Sequence, residues 1–129
     1  MLTAIREVFG PDGVLLRNDA AVRRHEGLAS EVVLAVGEVP EVVEVVEDGI
    51  KYLAAPWSGQ KTGAFLDQRE NRQLVAQHTK SGGRALDLFT YHGSFALHLA
   101  RKAKAVIGVD QSAEALARGA ENARLNGIS

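Results

Sequence analysis

Two carboxylates and one glycine carry the most chemical information in this chain. Asp87 lies in the apolar run Arg84–Phe89, and Asp110 follows a second apolar run, Ala105–Val109, 23 residues after the first carboxylate. In an open parallel sheet, ligands sit beyond the carboxyl ends of the strands, where connections diverge. A carboxylate at the end of the second strand can accept both hydroxyls of a ribose, a common way to hold an adenosine. Gly93 stands in the turn Tyr91-His92-Gly93-Ser94 between the runs. It lets the backbone pass close to a ligand, and the helix start after it offers free N–H groups. A dinucleotide pyrophosphate needs three glycines, G-x-G-x-x-G. This turn has one, beside bulky Phe89 and Tyr91. It suits a ligand without phosphates, S-adenosylmethionine rather than a dinucleotide.

Taken singly, each residue has a plainer reading. An acidic residue at a strand end often caps a helix, a lone glycine marks a turn, and Phe89, Tyr91 and Phe95 can be core. The ordered combination of strand, Asp, Gly turn, helix, strand and Asp raises the ligand site above those readings. His92 and His98 are six apart, outside the i, i+4 spacing that puts two ligands on one helix face, and His25 and His78 are isolated. No metal site is assigned. The absence of cysteine excludes disulfides and thiolate metal sites.

The elements that must position these residues follow from periodicity. Leu2–Phe9 reads as a short helix, Pro11-Asp12-Gly13 as a turn, Val14–Arg17 as a strand, and Asp19 to about Gly27 as helical or irregular. Glu41–Glu47 and Ile50–Ala54 are two strand-like runs joined through Asp48-Gly49, and that dipeptide suits the positive φ angles of a type I′ hairpin turn. Gln68–Thr79 is a helix candidate with Asn71, Leu74, Val75 and His78 on one face and Asp67 as its cap. After the breaker Ser81-Gly82-Gly83, Arg84–Phe89 reads as a buried strand. Phe95, Leu99, Ala100 and Ala103 recur at helical spacing, and Ala105–Val109 is a second buried strand. Ser112 caps a last helix with Leu116, Ala120 and Ala123 inward and Gly127 as its stop. This is one and a half βαβ units of a doubly wound parallel sheet. Ser129 falls where a third strand is expected, so the chain reads as cut short there.

The bulk numbers describe an ordinary globular protein of 129 residues, 46% hydrophobic and 24% charged. No apolar run approaches the ~20 residues of a membrane helix, and no secretory signal is visible, so a cytoplasmic location is expected. The net charge of −1 argues against a dedicated nucleic-acid clamp. Its distribution is uneven: residues 1–60 hold 5 Lys/Arg against 10 Asp/Glu, and residues 61–129 hold 10 against 6. A basic face for an anionic substrate and two differently solvated surfaces both fit that asymmetry.

The run Gly59–Arg72, GQKTGAFLDQRENR, followed by ALDLFTYHGSFALHLA and VIGVDQSAEALARGAENARLNGI, resembles the large-subunit ribosomal RNA cytosine-C5 methyltransferase family. DAAVRRHEGL, residues 19–28, is similar to that family's central domain. The resemblance implies a class I (Rossmann-like) fold using S-adenosylmethionine, a cytoplasmic location, ribosomal RNA as partner, homodimer formation and an RNA-binding PUA domain in front. Carried over by position, it implies that Asp87, Tyr91 and Gly93 line the methionine part of the cofactor. Asp110 would hold the ribose, with Gln111 and Ser112 beside the adenine. Phe65, Gln68 and Arg69 would lie over the cofactor, with Arg69 paired to the methionine carboxylate. Three positions depart from the family pattern: Thr90 stands where Cys is common, His92 where Thr is, and Ser94 where a second Gly is. The family adds a cysteine to cytosine C6 to activate C5, and this chain has none, so no catalytic residue is assigned.

The expectation is an α/β chain, a partial class I methyltransferase parallel sheet preceded by a small α+β segment with a β-hairpin. Residues 1–58 are read as part of the central domain with the hairpin, and 59–129 as the N-terminal half of the methyltransferase domain. The chain is expected to bind S-adenosylmethionine and to be inert alone. A non-catalytic dimerisation or interaction module is the alternative, since exposed sheet edges favour association. A nucleotide-dependent oxidoreductase is a second, disfavoured by the single-glycine turn.

Overall fold

The computed structural model describes residues 1–60 and 63–128. Lys61, Thr62 and Ser129, the first two within the GQKTG segment, lie outside the described residues. Close Cα neighbours divide the chain into two compact units, Met1–Val43 with Ala54–Ala64 and Glu44–Leu53 with Phe65–Ser129.

The first unit starts with α1 (Leu2–Phe9), which stops where Gly10 turns left-handed at φ 53°. β1 (Gly13–Asn18) pairs antiparallel with β2 (Glu31–Gly37), Gly13 opposite Gly37 and Asn18 opposite Glu31, with a bulge between Val14 and Leu15. The four-residue α2 (Val22–His25) lies between them in sequence. Among the described residues, β2 is the one strand that periodicity passed over. Its run Glu-Val-Val-Leu-Ala-Val-Gly lacks a hairpin dipeptide, because its partner is reached through α2 rather than through a tight turn. Arg17 ties β1 to the 54–64 segment, donating from Nη1 to the carbonyls of Pro56 (2.6 Å) and Gly59 (2.9 Å). The Trp57 indole N–H donates to the Val39 carbonyl at 2.8 Å.

The second unit contains most of a hairpin, formed by β3 (Val43–Glu47) and β4 (Ile50–Ala54). Asp48 (φ 51°) and Gly49 (φ 76°) adopt the two positive φ angles expected of the Asp-Gly turn. Leu66–Gln68 is a 3₁₀ turn that leads into α3 (Arg69–His78). The helix begins later than expected, with Gln68 rather than Asp67 at its cap and no side-chain capping bond. Asn71, Leu74, Val75 and His78 are exposed, and Arg72 is the residue that α3 buries.

β5 (Arg84–Leu88) and β6 (Ala105–Val109) pair in parallel, Arg84 beside Ala105 and Leu88 beside Val109. The connecting α4 (Ser94–Leu99) ends at Leu99, short of the periodicity that reached Ala103. α5 (Ala113–Leu125) is capped as expected: the Ser112 hydroxyl accepts the Ala115 N–H at 3.2 Å, and Gly127 is left-handed at φ 67°. Its buried residues are Ala115 and Asn122. Leu116, Ala120 and Ala123 instead line a cavity of about 200 Å³ that also touches Thr90, Gly93 and Val106. This strand–helix–strand–helix order with a parallel pair is the α/β arrangement expected from the sequence.

The core of the second unit is unusually polar. Ile50, Tyr52, Leu97, Leu99 and Ala115 are buried together with Glu47, Arg72, Thr90, His92, Ser94, His98 and Asn122. Buried polar groups are tolerated when they are paired, and most of these are.

Candidate cofactor site

At the carboxyl ends of β5 and β6 the chain turns sharply three times. Phe89 (φ 62°), Tyr91 (φ 52°) and Gly93 (φ 83°) are all left-handed. Two of them carry side chains that pay for that conformation with about 1–3 kcal/mol each, so the surroundings must over-determine it. They do. The Thr90 N–H donates to the Val109 carbonyl (3.0 Å) and the Gly93 N–H to the Thr90 carbonyl (2.9 Å). Asp87, half-buried on β5, accepts from the Thr90 hydroxyl (2.6 Å) and the Ala96 N–H (3.0 Å) through Oδ2. Asp87 thus fastens the turn to the first turn of α4.

Asp110 fastens it to β6. Its Oδ2 accepts the Tyr91 N–H and its Oδ1 the Ser112 N–H, both at 2.9 Å. The Ser112 N–H first, and the Tyr91 N–H next, hold its carboxyl below the usual carboxylate range. The group is therefore ionised at neutral pH, and each oxygen keeps a lone pair for a further donor. The two carboxylates singled out by spacing meet in one turn. Gln111 and Ser112 follow directly and are exposed, although the Ser112 hydroxyl is occupied in capping α5.

Phe65 reaches the same turn, its ring edge-on to Tyr91 at 5.5 Å between centroids. Gln68 is engaged within its own segment: its Oε1 accepts from Asn71 (2.9 Å) and its Nε2 donates to Asp67 (3.1 Å). Arg69 opens α3 with an exposed side chain. Phe65, Asp87, Tyr91, Gly93 and Asp110 are thus brought together, while Gln68 and Arg69 flank Phe65 along the chain.

Several residues that hold this arrangement were not singled out by the sequence. Arg72 donates to both Glu47 oxygens, from Nε at 2.7 Å and from Nη2 at 2.6 Å, and from Nη1 to the Phe65 carbonyl at 3.0 Å. The Arg72 guanidinium holds the Glu47 carboxyl below the usual range although burial opposes it. The Tyr52 ring stacks on His92 at 5.2 Å and 17°. Asn122 bridges the Leu53 N–H and the His92 carbonyl, each at 2.8 Å. The hairpin therefore braces both the turn and the Phe65 segment from behind. Arg72 lies in the family-like run, but nothing in its type marked it as buried.

The site fits S-adenosylmethionine. Its one-glycine turn offers no pyrophosphate cradle, and Asp110 is an ionised carboxylate held by two backbone N–H groups, a kind of group that can accept ribose hydroxyls. Comparison with known proteins agrees. Residues 18–129 match the family described as S-adenosylmethionine-dependent methyltransferase. The protein named ribosomal RNA large subunit methyltransferase I from Aeromonas salmonicida is 42% identical over 127 residues, covering 97% of this chain and 32% of that protein. A Streptococcus mutans structure, described as a candidate SAM-dependent methyltransferase, superposes with a TM-score of 0.79 at 26% identity, over 99% of this chain and 32% of its own. A solved methyltransferase candidate in complex with SAH gives a TM-score of 0.80 at 26% identity, over the same shares. The chain spans about a third of the length of these relatives. On its fold, its turn and these matches, the chain belongs to the S-adenosylmethionine-dependent methyltransferases.

Proposed function

We propose that this chain is the cofactor-binding part of a ribosomal RNA (cytosine-C5) methyltransferase and is catalytically inert by itself. The observation that carries the reading is the β5–α4 turn clamped between Asp87 and Asp110, with Phe65 against it. Bound S-adenosylmethionine supplies an electrophilic methyl group. In this reading Asp110 accepts the ribose hydroxyls, Gln111 and Ser112 lie beside the adenine, and Asp87, Tyr91 and Gly93 shape the methionine end. Arg69, exposed at the start of α3, pairs with the methionine carboxylate, and Phe65 and Gln68 flank it. Ribosomal RNA as substrate is supported by the name of the Aeromonas salmonicida relative, and the cytosine-C5 position by the resemblance of residues 59–128. In this reading the protein acts in the cytoplasm.

Activation of cytosine C5 needs a nucleophile at C6, and the sequence holds no cysteine. The purified chain incubated with S-adenosylmethionine and large-subunit ribosomal RNA is therefore expected to yield no 5-methylcytidine. A chimaera carrying residues 18–129 in place of the matching third of the Aeromonas salmonicida relative is expected to yield it, and to lose it with Asp110→Ala. Product from the isolated chain, or a chimaera that methylates another position, would overturn the proposal.

A further inference from the structure

We infer that Asn122 is the positioning residue of the β5–α4 turn, tying that turn to the free edge of the hairpin. The inference rests on the reading of that turn as the cofactor site. The side chain of Asn122 is fully buried, and both ends are used. Oδ1 accepts the Leu53 N–H at 2.8 Å, and Nδ2 donates to the His92 carbonyl at 2.8 Å.

A strand edge presents the N–H and C=O groups of alternate residues, and α5 takes the place of a neighbouring strand along β4. Asn126, one turn beyond Asn122, accepts the Lys51 N–H at 3.0 Å and donates to the Lys51 carbonyl at 2.6 Å. The spacing matches. Residues two apart on a strand are about 6.7 Å apart, and residues four apart on a helix rise about 6 Å. Both asparagines therefore satisfy the edge, but they are not equivalent. Asn122 alone of the two also reaches the turn, and it does so between the left-handed Tyr91 and Gly93. Asp87 and Asp110 hold Thr90, Tyr91 and Ala96, and Asn122 holds the peptide that they leave.

Residue-resolved amide hydrogen exchange on the 129-residue chain separates this role from plain core packing, and it needs no ligand. The comparison takes wild type, Asn122→Ala, Asn122→Asp and Asn126→Ala. The Asp variant keeps an acceptor for Leu53 and removes the donor to His92. Both Asn122 variants are expected to speed exchange at Tyr91, Gly93 and Ala96 about tenfold more than at Leu86 and Ile107. Asn126→Ala is expected to speed Lys51 and leave the turn unchanged. In calorimetric titration with S-adenosylmethionine, the Asn122 variants are expected to lose about tenfold in affinity and Asn126→Ala none. Turn amides that exchange only in step with the sheet, or equal loosening by Asn126→Ala, would overturn the inference. Failure of both Asn122 variants to fold would overturn it too, by making Asn122 a general core residue. If the exchange pattern holds but wild type binds no S-adenosylmethionine, the cofactor reading fails and the tie between hairpin and turn stands.

Discussion

His92 sits in the middle of the β5–α4 turn with 1% of its surface exposed, its ring stacked on Tyr52 and tilted against Tyr91 at 4.7 Å. Among the described residues neither ring nitrogen has a hydrogen-bond partner, and burial pushes its pKa down to about 4. A histidine in the unfolded chain titrates near 6.5. Between pH 6.5 and 4 the unfolded chain thus takes up a proton that the folded chain refuses. The stabilisation is full above 6.5 and is lost as pH falls towards 4. His92→Phe keeps the stacked ring and removes the titration. Urea denaturation at pH 7 and 4.5 is expected to show that the variant loses about 2 kcal/mol less than wild type on acidification; equal losses would contradict it. The sequence marked Asp87, Gly93 and Asp110 through their order along the chain, strand, Asp, Gly turn, helix, strand and Asp, since each alone has a plainer reading. It did not foresee the burial of His92, Arg72 or Asn122, since polar side chains default to the surface until a partner is known.

At the scale of elements, the hairpin was legible from Asp48-Gly49 and its flanking β-branched runs, and the cap of α5 from Ser112. The inward faces of α3 and α5 were not, because periodicity follows apolar residues and these helices bury Arg72 and Asn122. The link between hairpin and α3 is the Glu47–Arg72 pair, with side chains 5% and 1% exposed. Removing one partner leaves the other charge buried without its countercharge, which costs about 3–5 kcal/mol. Arg72→Met is therefore expected to destabilise the chain by that amount in urea denaturation, and Glu47→Met with Arg72→Met to recover most of it. A single variant within 1 kcal/mol of wild type, on the scale of an exposed pair, would show that the pair does not brace the Phe65 segment.

At the scale of the molecule, the parallel pair is covered on one side. Leu86 and Leu88 on β5 are 59% and 58% exposed, and their neighbours in register, Ile107 and Val109 on β6, 52% and 46%. Parallel sheets are normally covered on both faces, and a contiguous bare apolar patch favours association. Light scattering is expected to show concentration-dependent self-association of the chain, suppressed by Leu86→Ser with Ile107→Ser; a wild type that stays monomeric would contradict this. Among the described residues no helix is long and apolar enough to cross a membrane. The central claim is that the turn clamped by Asp87 and Asp110 binds S-adenosylmethionine. Its most direct test is calorimetric titration of the 129-residue chain beside Asp110→Ala. Saturable binding that the variant loses while keeping its circular dichroism spectrum is the predicted result. A folded wild type that does not bind, or a variant that binds equally well, would contradict it.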